Sequence, residues 1–170
     1  MLRTILLGLS VLCLATVSVA QADTIVKPKI YNPDDNAAKA VAQAIATAKK
    51  ENKHVFIQVG GNWCIWCIRF NNFVKTDATL DSLVKANYVV YHLNYSEENY
   101  NKDILKQYKF PQRFGFPVFL ILDQEGKLLH TQNTEYLEDG KSGYDKKKVI
   151  TFLNHWSPKA LNPATYQEKK

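Results

Sequence analysis

Cysteine is scarce in this chain. There are three in 170 residues, too few for the disulfide framework of a small secreted scaffold. No G-x-S-x-G, no phosphate-binding glycine loop and no convincing carboxylate pair occurs, so the common hydrolase and nucleotide-handling motifs are missing. No repeat or low-complexity block is present. The formal charge is +6, yet the basic residues form no stripe with interleaved aromatics. The densest run, Lys146-Lys147-Lys148, reads as a solvated helix face, and no nucleic-acid partner is expected.

Long apolar runs are also missing. The run from Ile5 to Ala20 is shorter than the roughly 20 residues of a membrane-spanning helix. It follows Met1-Leu2-Arg3 and precedes Ala20-Gln21-Ala22. A basic start, an apolar middle and an A-x-A site predict a secretory signal peptide over residues 1–22, cleaved after Ala20 or Ala22, with an uncleaved anchor as the alternative. Cys13 lies inside the run behind Leu12. Leucine is not the small residue a lipoprotein signal needs there, and Cys13 is expected to leave with the peptide. The predicted plan is then an extension over 23–36, one domain over 37–156 and a loose tail over 157–170. An exported protein, periplasmic or secreted, is expected.

Two thiols are left, Cys64 and Cys67, within "GGNWCIWC" (60–67). A bridge between positions three apart closes a very short loop and removes little unfolded-chain entropy. Stapling is a weak reason for such a pair. Redox exchange and metal binding are better ones. A zinc site needs four ligands and Cys-x-x-Cys supplies two. His54, His92, His130 and His155 are scattered, without a His-x-x-x-His pair, and no metal is expected.

Periodicity places the pair. Ala38, Val41, Ala42 and Ile45 have helical spacing over 34–51, with Pro33 and Asp34 as start signals. "HVFIQV" (54–59) is a buried strand that Gly60 and Gly61 break. A helix starts near Cys64 and runs to Thr76, with Cys67, Phe70 and Val74 on one face. A short helix follows Asp77, burying Leu80, Leu83 and Val84. A strand covers 88–94. Ser96 caps a helix on which Tyr100, Ile104 and Tyr108 align. A strand at 117–123 turns through Gly126 into another at 128–131. A last helix, 145–156, buries Val149, Phe152, Leu153 and Trp156. The order αβααβαββα predicts an α/β domain with a mixed sheet.

"NWCIWC" at a strand-to-helix junction, followed by "GFPVFLILDQEGK", resembles the thioredoxin superfamily. It is most similar to the secreted thioredoxin-like branch with the motif W-C-x-W-C. The resemblance covers about residues 37–156. It implies a thioredoxin-like fold, a central mixed sheet of four or slightly more strands flanked by helices. It also implies an enzyme, a thiol–disulfide oxidoreductase that needs no organic cofactor. Cys64 would be the exposed nucleophile and Cys67 the sheltered resolving thiol. Pro117 would follow a cis peptide bond opposite the cysteines. Trp63, Trp66, Phe116 and Pro117 would shape a groove for an extended peptide. The implied partners are protein disulfides and, for a reductant, a membrane thiol transporter as electron donor. The chain is expected to act as a monomer.

The physical reading agrees with those roles. A thiol in the first turn of a helix meets unpaired backbone N–H groups and the positive end of the dipole. Lowering its pKa from about 8.5 to about 7 represents about 2 kcal/mol of thiolate stabilisation. Two departures stand out. Gln58 occupies the place of the buried Asp of thioredoxin itself, and an amide is no general base near neutral pH. Ile65-Trp66 between the cysteines includes no thiolate-stabilising His, which favours a reductant over a disulfide-forming oxidant. A binding module with an inert disulfide is the competing class. The "KFPQRFGFP" segment and the 133–144 loop are further candidate contact surfaces.

Overall fold

The computed structural model describes residues 29–167. The expected signal peptide lies outside the described residues, and so does the start of the expected extension. The elements are α1 (Ala37–Glu51), β1 (His54–Gly60), α2 (Ile65–Thr76), α3 (Ala78–Asn87), β2 (Tyr88–Asn94), α4 (Lys102–Gln107), β3 (Val118–Leu122), β4 (Leu128–Asn133) and α5 (Lys146–His155). Short 3-10 turns occupy Pro111–Phe114, Thr134–Leu137 and Pro163–Tyr166. The strands form one mixed sheet in the order β2-β1-β3-β4. β1 runs parallel to β2 and antiparallel to β3, which runs antiparallel to β4. This is the four-stranded sheet flanked by helices that the sequence predicts, a thioredoxin-like fold.

Every residue of β1 is buried because helices cover both faces of the sheet. Alternation along the strand divides the core in two. Val55, Ile57 and Val59 meet Val41, Ala44 and Ala48 of α1 and Leu105 of α4 in an aliphatic layer. Phe56 points the other way, toward Phe70, Phe119 and Phe152, in an aromatic layer under α2, α3 and α5. Small residues on α1 let that helix lie close to the sheet. The aromatic layer is knit by ring pairs such as Phe70–Phe119 at 4.3 Å and Phe56–Phe119 at 4.9 Å between centroids, geometries that add to plain burial.

Helix starts differ from the sequence reading where side chains compete for the backbone. α1 begins at Ala37, not 34, because the Asn36 side chain accepts from Lys39 N–H at 3.0 Å and Asn32 and Asp35 close a turn before it. Ser96 does not cap α4. Its hydroxyl accepts from Asn94 Nδ2 at 2.9 Å, its N–H donates to Asn99 O, and the helix waits until Lys102. Tyr100 therefore falls outside α4 and is exposed, while Ile104 and Tyr108 are buried. Asp77 and Asp145 cap α3 and α5 through their side chains. Trp156 is only partly buried and stacks on His130 at 4.2 Å. No helix among the described residues is long and apolar enough to cross a membrane.

Candidate functional site

The end of β1 and the start of α2 meet at Cys64 and Cys67, which are joined by a disulfide with their Cα atoms 5.3 Å apart. Cys64 is the N-cap of α2, with extended backbone. Its sulfur accepts the Cys67 N–H at 3.1 Å, the position where Ser, Thr, Asp or Asn caps other helices. One orphan N–H and the helix dipole are thus directed at the first sulfur. On opening of the disulfide both favour negative charge there over a neutral thiol.

The sequence predicts one exposed and one sheltered cysteine, but both are buried. Cys64 is 5% exposed and Cys67 fully buried. Tyr31 packs with both cysteines, and Ile30, Trp66 and Phe116 pack against that cluster. Trp63 is 55% exposed, and its Nε1–H donates to Tyr95 O at 2.8 Å. Its ring meets Phe116 edge-on at 5.4 Å, and Phe116 stacks on Tyr95 at 4.8 Å. The Phe116–Pro117 peptide is cis, and Pro117 is buried at the head of β3. A recess of about 380 Å³ opens beside this rim, lined by Trp63, Tyr95, Ser96, Glu97, Glu98 and Tyr100. Phe116 thus packs on the cysteine cluster, with Trp63 against its ring and Pro117 next to it in the chain. Trp66 packs against the cysteine cluster as well and links it to the aromatic core, edge-on to Tyr144 at 5.7 Å with the Arg69 guanidinium 4.8 Å above its ring.

The Cys67 side is built differently, from Gln58, which the sequence reading singled out, and from Tyr31 and Asn62, which it did not. Tyr31, in the segment before α1, is 2% exposed and packs with both cysteines. Asn62 holds it there. The Asn62 carboxamide oxygen accepts from the N–H groups of Ile30 and Tyr31 at 2.9 and 3.1 Å, and its Nδ2 donates to Tyr31 O at 2.8 Å. Gln58 is buried beneath, its Nε2 donating to Tyr31 Oη at 2.7 Å and to Cys67 O at 3.0 Å. Gly60 is required by this crowding. A Cβ there would collide with Cys67 Sγ and lie 2.8 Å from Tyr31 Oη. His92 meets Tyr31 edge-on at 5.4 Å, and its pKa is pushed down to about 4 by burial and, secondarily, by Lys75. The one hint of Tyr31 in the sequence was Asn62, a polar residue inside the cysteine motif itself. Among the described residues, no three His, Cys, Asp or Glu side chains converge as metal ligands would.

Residues 41–137 match the family described as a thioredoxin-like domain. The chain belongs to the thioredoxin-like family. Solved structures of similar fold include a disulphide isomerase from Xylella fastidiosa Temecula1, with TM-score 0.65 and 19% identity over 75% of this chain and 95% of that one. A thioredoxin from Thermus thermophilus gives 0.51 and 17%, covering 75% and 94%. The C-terminal domain of DsbD from Neisseria meningitidis in its reduced form gives 0.51 and 19%, covering 70% and 96%. At such identities the likeness is one of fold. No curated protein matches the chain. Within this thioredoxin-like domain the disulfide lies where a parallel strand hands over to a helix, with the cis-proline loop beside it.

Proposed function

We propose that this protein is an exported thiol–disulfide oxidoreductase of the secreted W-C-x-W-C branch, working in the periplasm or outside the cell and reducing disulfides in other proteins. The observation that carries the proposal is the Cys64 sulfur at the N-cap of α2, receiving the Cys67 N–H. Cys64 as thiolate attacks a substrate disulfide. Cys67 then attacks Cys64, and the substrate leaves reduced. Trp63, Phe116 and Pro117 form one wall of the peptide groove, and Trp66 contributes to the groove. No organic cofactor enters the chemistry. The partners are protein disulfides and a membrane thiol transporter that returns electrons to the pair, because the periplasm is kept oxidising. Nucleic acid is not a partner, and the chain works as a monomer. The reducing direction is supported by the lack of His between the cysteines.

The test is turnover of a model protein disulfide with dithiothreitol as donor. The wild type is expected to reduce it, Cys64→Ser to be inactive, and Cys67→Ser to accumulate the mixed disulfide. Full activity in Cys64→Ser overturns the proposal. The burial of Cys64 favours a second reading, a binding module with an inert disulfide. Blocking both thiols separates the two, since a binding module keeps its partner and an oxidoreductase loses its activity.

A further inference from the structure

We infer that Tyr31, carried by the segment that precedes α1, donates its phenolic hydrogen bond to the Cys67 sulfur when the disulfide opens, and so makes that segment part of the redox centre. The inference rests on the oxidoreductase reading above and names a residue that reading does not use.

Three observations lead to it. First, Tyr31 Oη and Cys67 Sγ flank one point, the side-chain direction of Gly60, where nothing larger than hydrogen fits. Second, the Gln58 amide fixes the polarity of the phenol. Its end facing Cys67 O must be an N–H, and that same Nε2 donates to Tyr31 Oη. The phenol oxygen is therefore the acceptor of that bond, and its own hydrogen is free for another acceptor. Among the described residues, none takes it in the disulfide form. Third, the Tyr31 main chain is clamped by Asn62 on both its N–H and its carbonyl, so the ring is held in place. A buried hydroxyl hydrogen without an acceptor is unfavourable. Opening the disulfide supplies one, the Cys67 sulfur, which takes up negative charge when Cys67 gives up its proton.

The chemistry balances without Tyr31 changing state. Cys64 thiolate bonds to one substrate sulfur and expels the other as thiolate, which takes up a proton. Cys67 gives up its proton, and its thiolate bonds to Cys64 Sγ. The mixed disulfide breaks, and the second substrate sulfur leaves as thiolate and is protonated. Two electrons pass from the cysteine pair to the substrate. Cys67 must carry charge in a fully buried place, where burial raises a thiol's pKa and a donated hydrogen bond lowers it. Tyr31 acts as donor and not as base, since burial pushes its own pKa up, well beyond the ordinary phenol. The titratable neighbours that bear on Tyr31 are His92, edge-on to its ring, and Tyr144.

The experiment uses the full exported protein labelled with 13Cβ-cysteine. In the reduced form the Cys67 pKa is followed by NMR, and single-turnover reaction with oxidised glutathione separates formation of the mixed disulfide from its resolution. Tyr31→Phe is expected to raise the Cys67 pKa by about one unit, a tenfold loss of thiolate, and to slow resolution about tenfold. Formation at Cys64 is expected to be unchanged. Replacement of Tyr31 by 3-fluorotyrosine keeps the shape and strengthens the donor, and is expected to lower the Cys67 pKa. An unchanged Cys67 pKa in both proteins overturns the inference, as does equal slowing of both steps. Failure of the oxidoreductase reading looks different: wild-type protein then forms no mixed disulfide at all, while the NMR titration still reports on Tyr31.

Discussion

The two sulfurs of one disulfide have contrasting surroundings. Cys64 lies beside an aromatic rim, in which Phe116, packed on the cysteine cluster together with Trp66, meets Trp63 and Tyr95. Cys67 is walled by the buried Gln58 and Tyr31, with the partly buried Asn62 clamping Tyr31 and His92 edge-on to its ring. Aromatic rings at a rim offer apolar area to a partner at little entropic cost. Buried polar groups at fixed distances set the charge that a sulfur can carry. The difference suits one sulfur to meeting substrate and the other to holding or releasing a proton. It also separates tolerance, because a rim residue answers mainly to ligands and a buried polar residue to the fold as well.

The contrast can be broken most strongly from the Cys67 side by acid. The folded protein holds the His92 pKa down to about 4, against its ordinary value of 6.5. The unfolded chain takes up a proton near 6.5 that the folded chain refuses. Stability from this group is therefore complete above pH 6.5 and is lost as pH falls toward 4, on the order of 3 kcal/mol. Urea unfolding near neutral pH and near pH 4 reads the loss, and His92→Phe is expected to shrink it. An equal acid loss in that variant would place the sensitivity elsewhere.

A smaller effect is expected from Asn62→Ala. It removes three hydrogen bonds to Ile30 and Tyr31, and a net loss of about 2 kcal/mol is expected. Amide exchange should quicken at residues 30–32 before it does in the sheet. Retained protection there would mean that packing of Tyr31, and not the clamp, holds the segment.

The smallest change is expected on the Cys64 side. Trp63→Ala should leave the unfolding midpoint nearly unmoved, because the ring is more than half exposed. It should raise KM for a peptide disulfide by roughly fivefold, about 1 kcal/mol of lost contact. A large stability loss with unchanged KM would reverse the assignment and make Trp63 a structural residue.

Much of this was legible in the chain. "HVFIQV" is apolar throughout because both faces of its strand are covered, and Cys67, Phe70 and Val74 recur at helical spacing because α2 buries one face. Local competition was harder to see. Ser96 has the right chemistry for a cap, yet Asn94 and Asn99 bind it into a loop. Hydrogen-bond partners at adjacent positions cannot be ranked by periodicity.

The sequence by itself determined the strand-to-helix junction, the paired thiols on it and Pro117 as the opening of a strand, since each follows from local pattern and spacing; its cis bond opposite the cysteines was implied only by the family resemblance. Only the tertiary structure decided that Cys64 is covered and that Tyr31 stands beside Cys67. Tyr31 and Gln58 are 27 positions apart, and Tyr31 and Asn62 are 31 apart. Contacts at such separations exist only once the sheet has closed, because the chain has no local periodicity that records them.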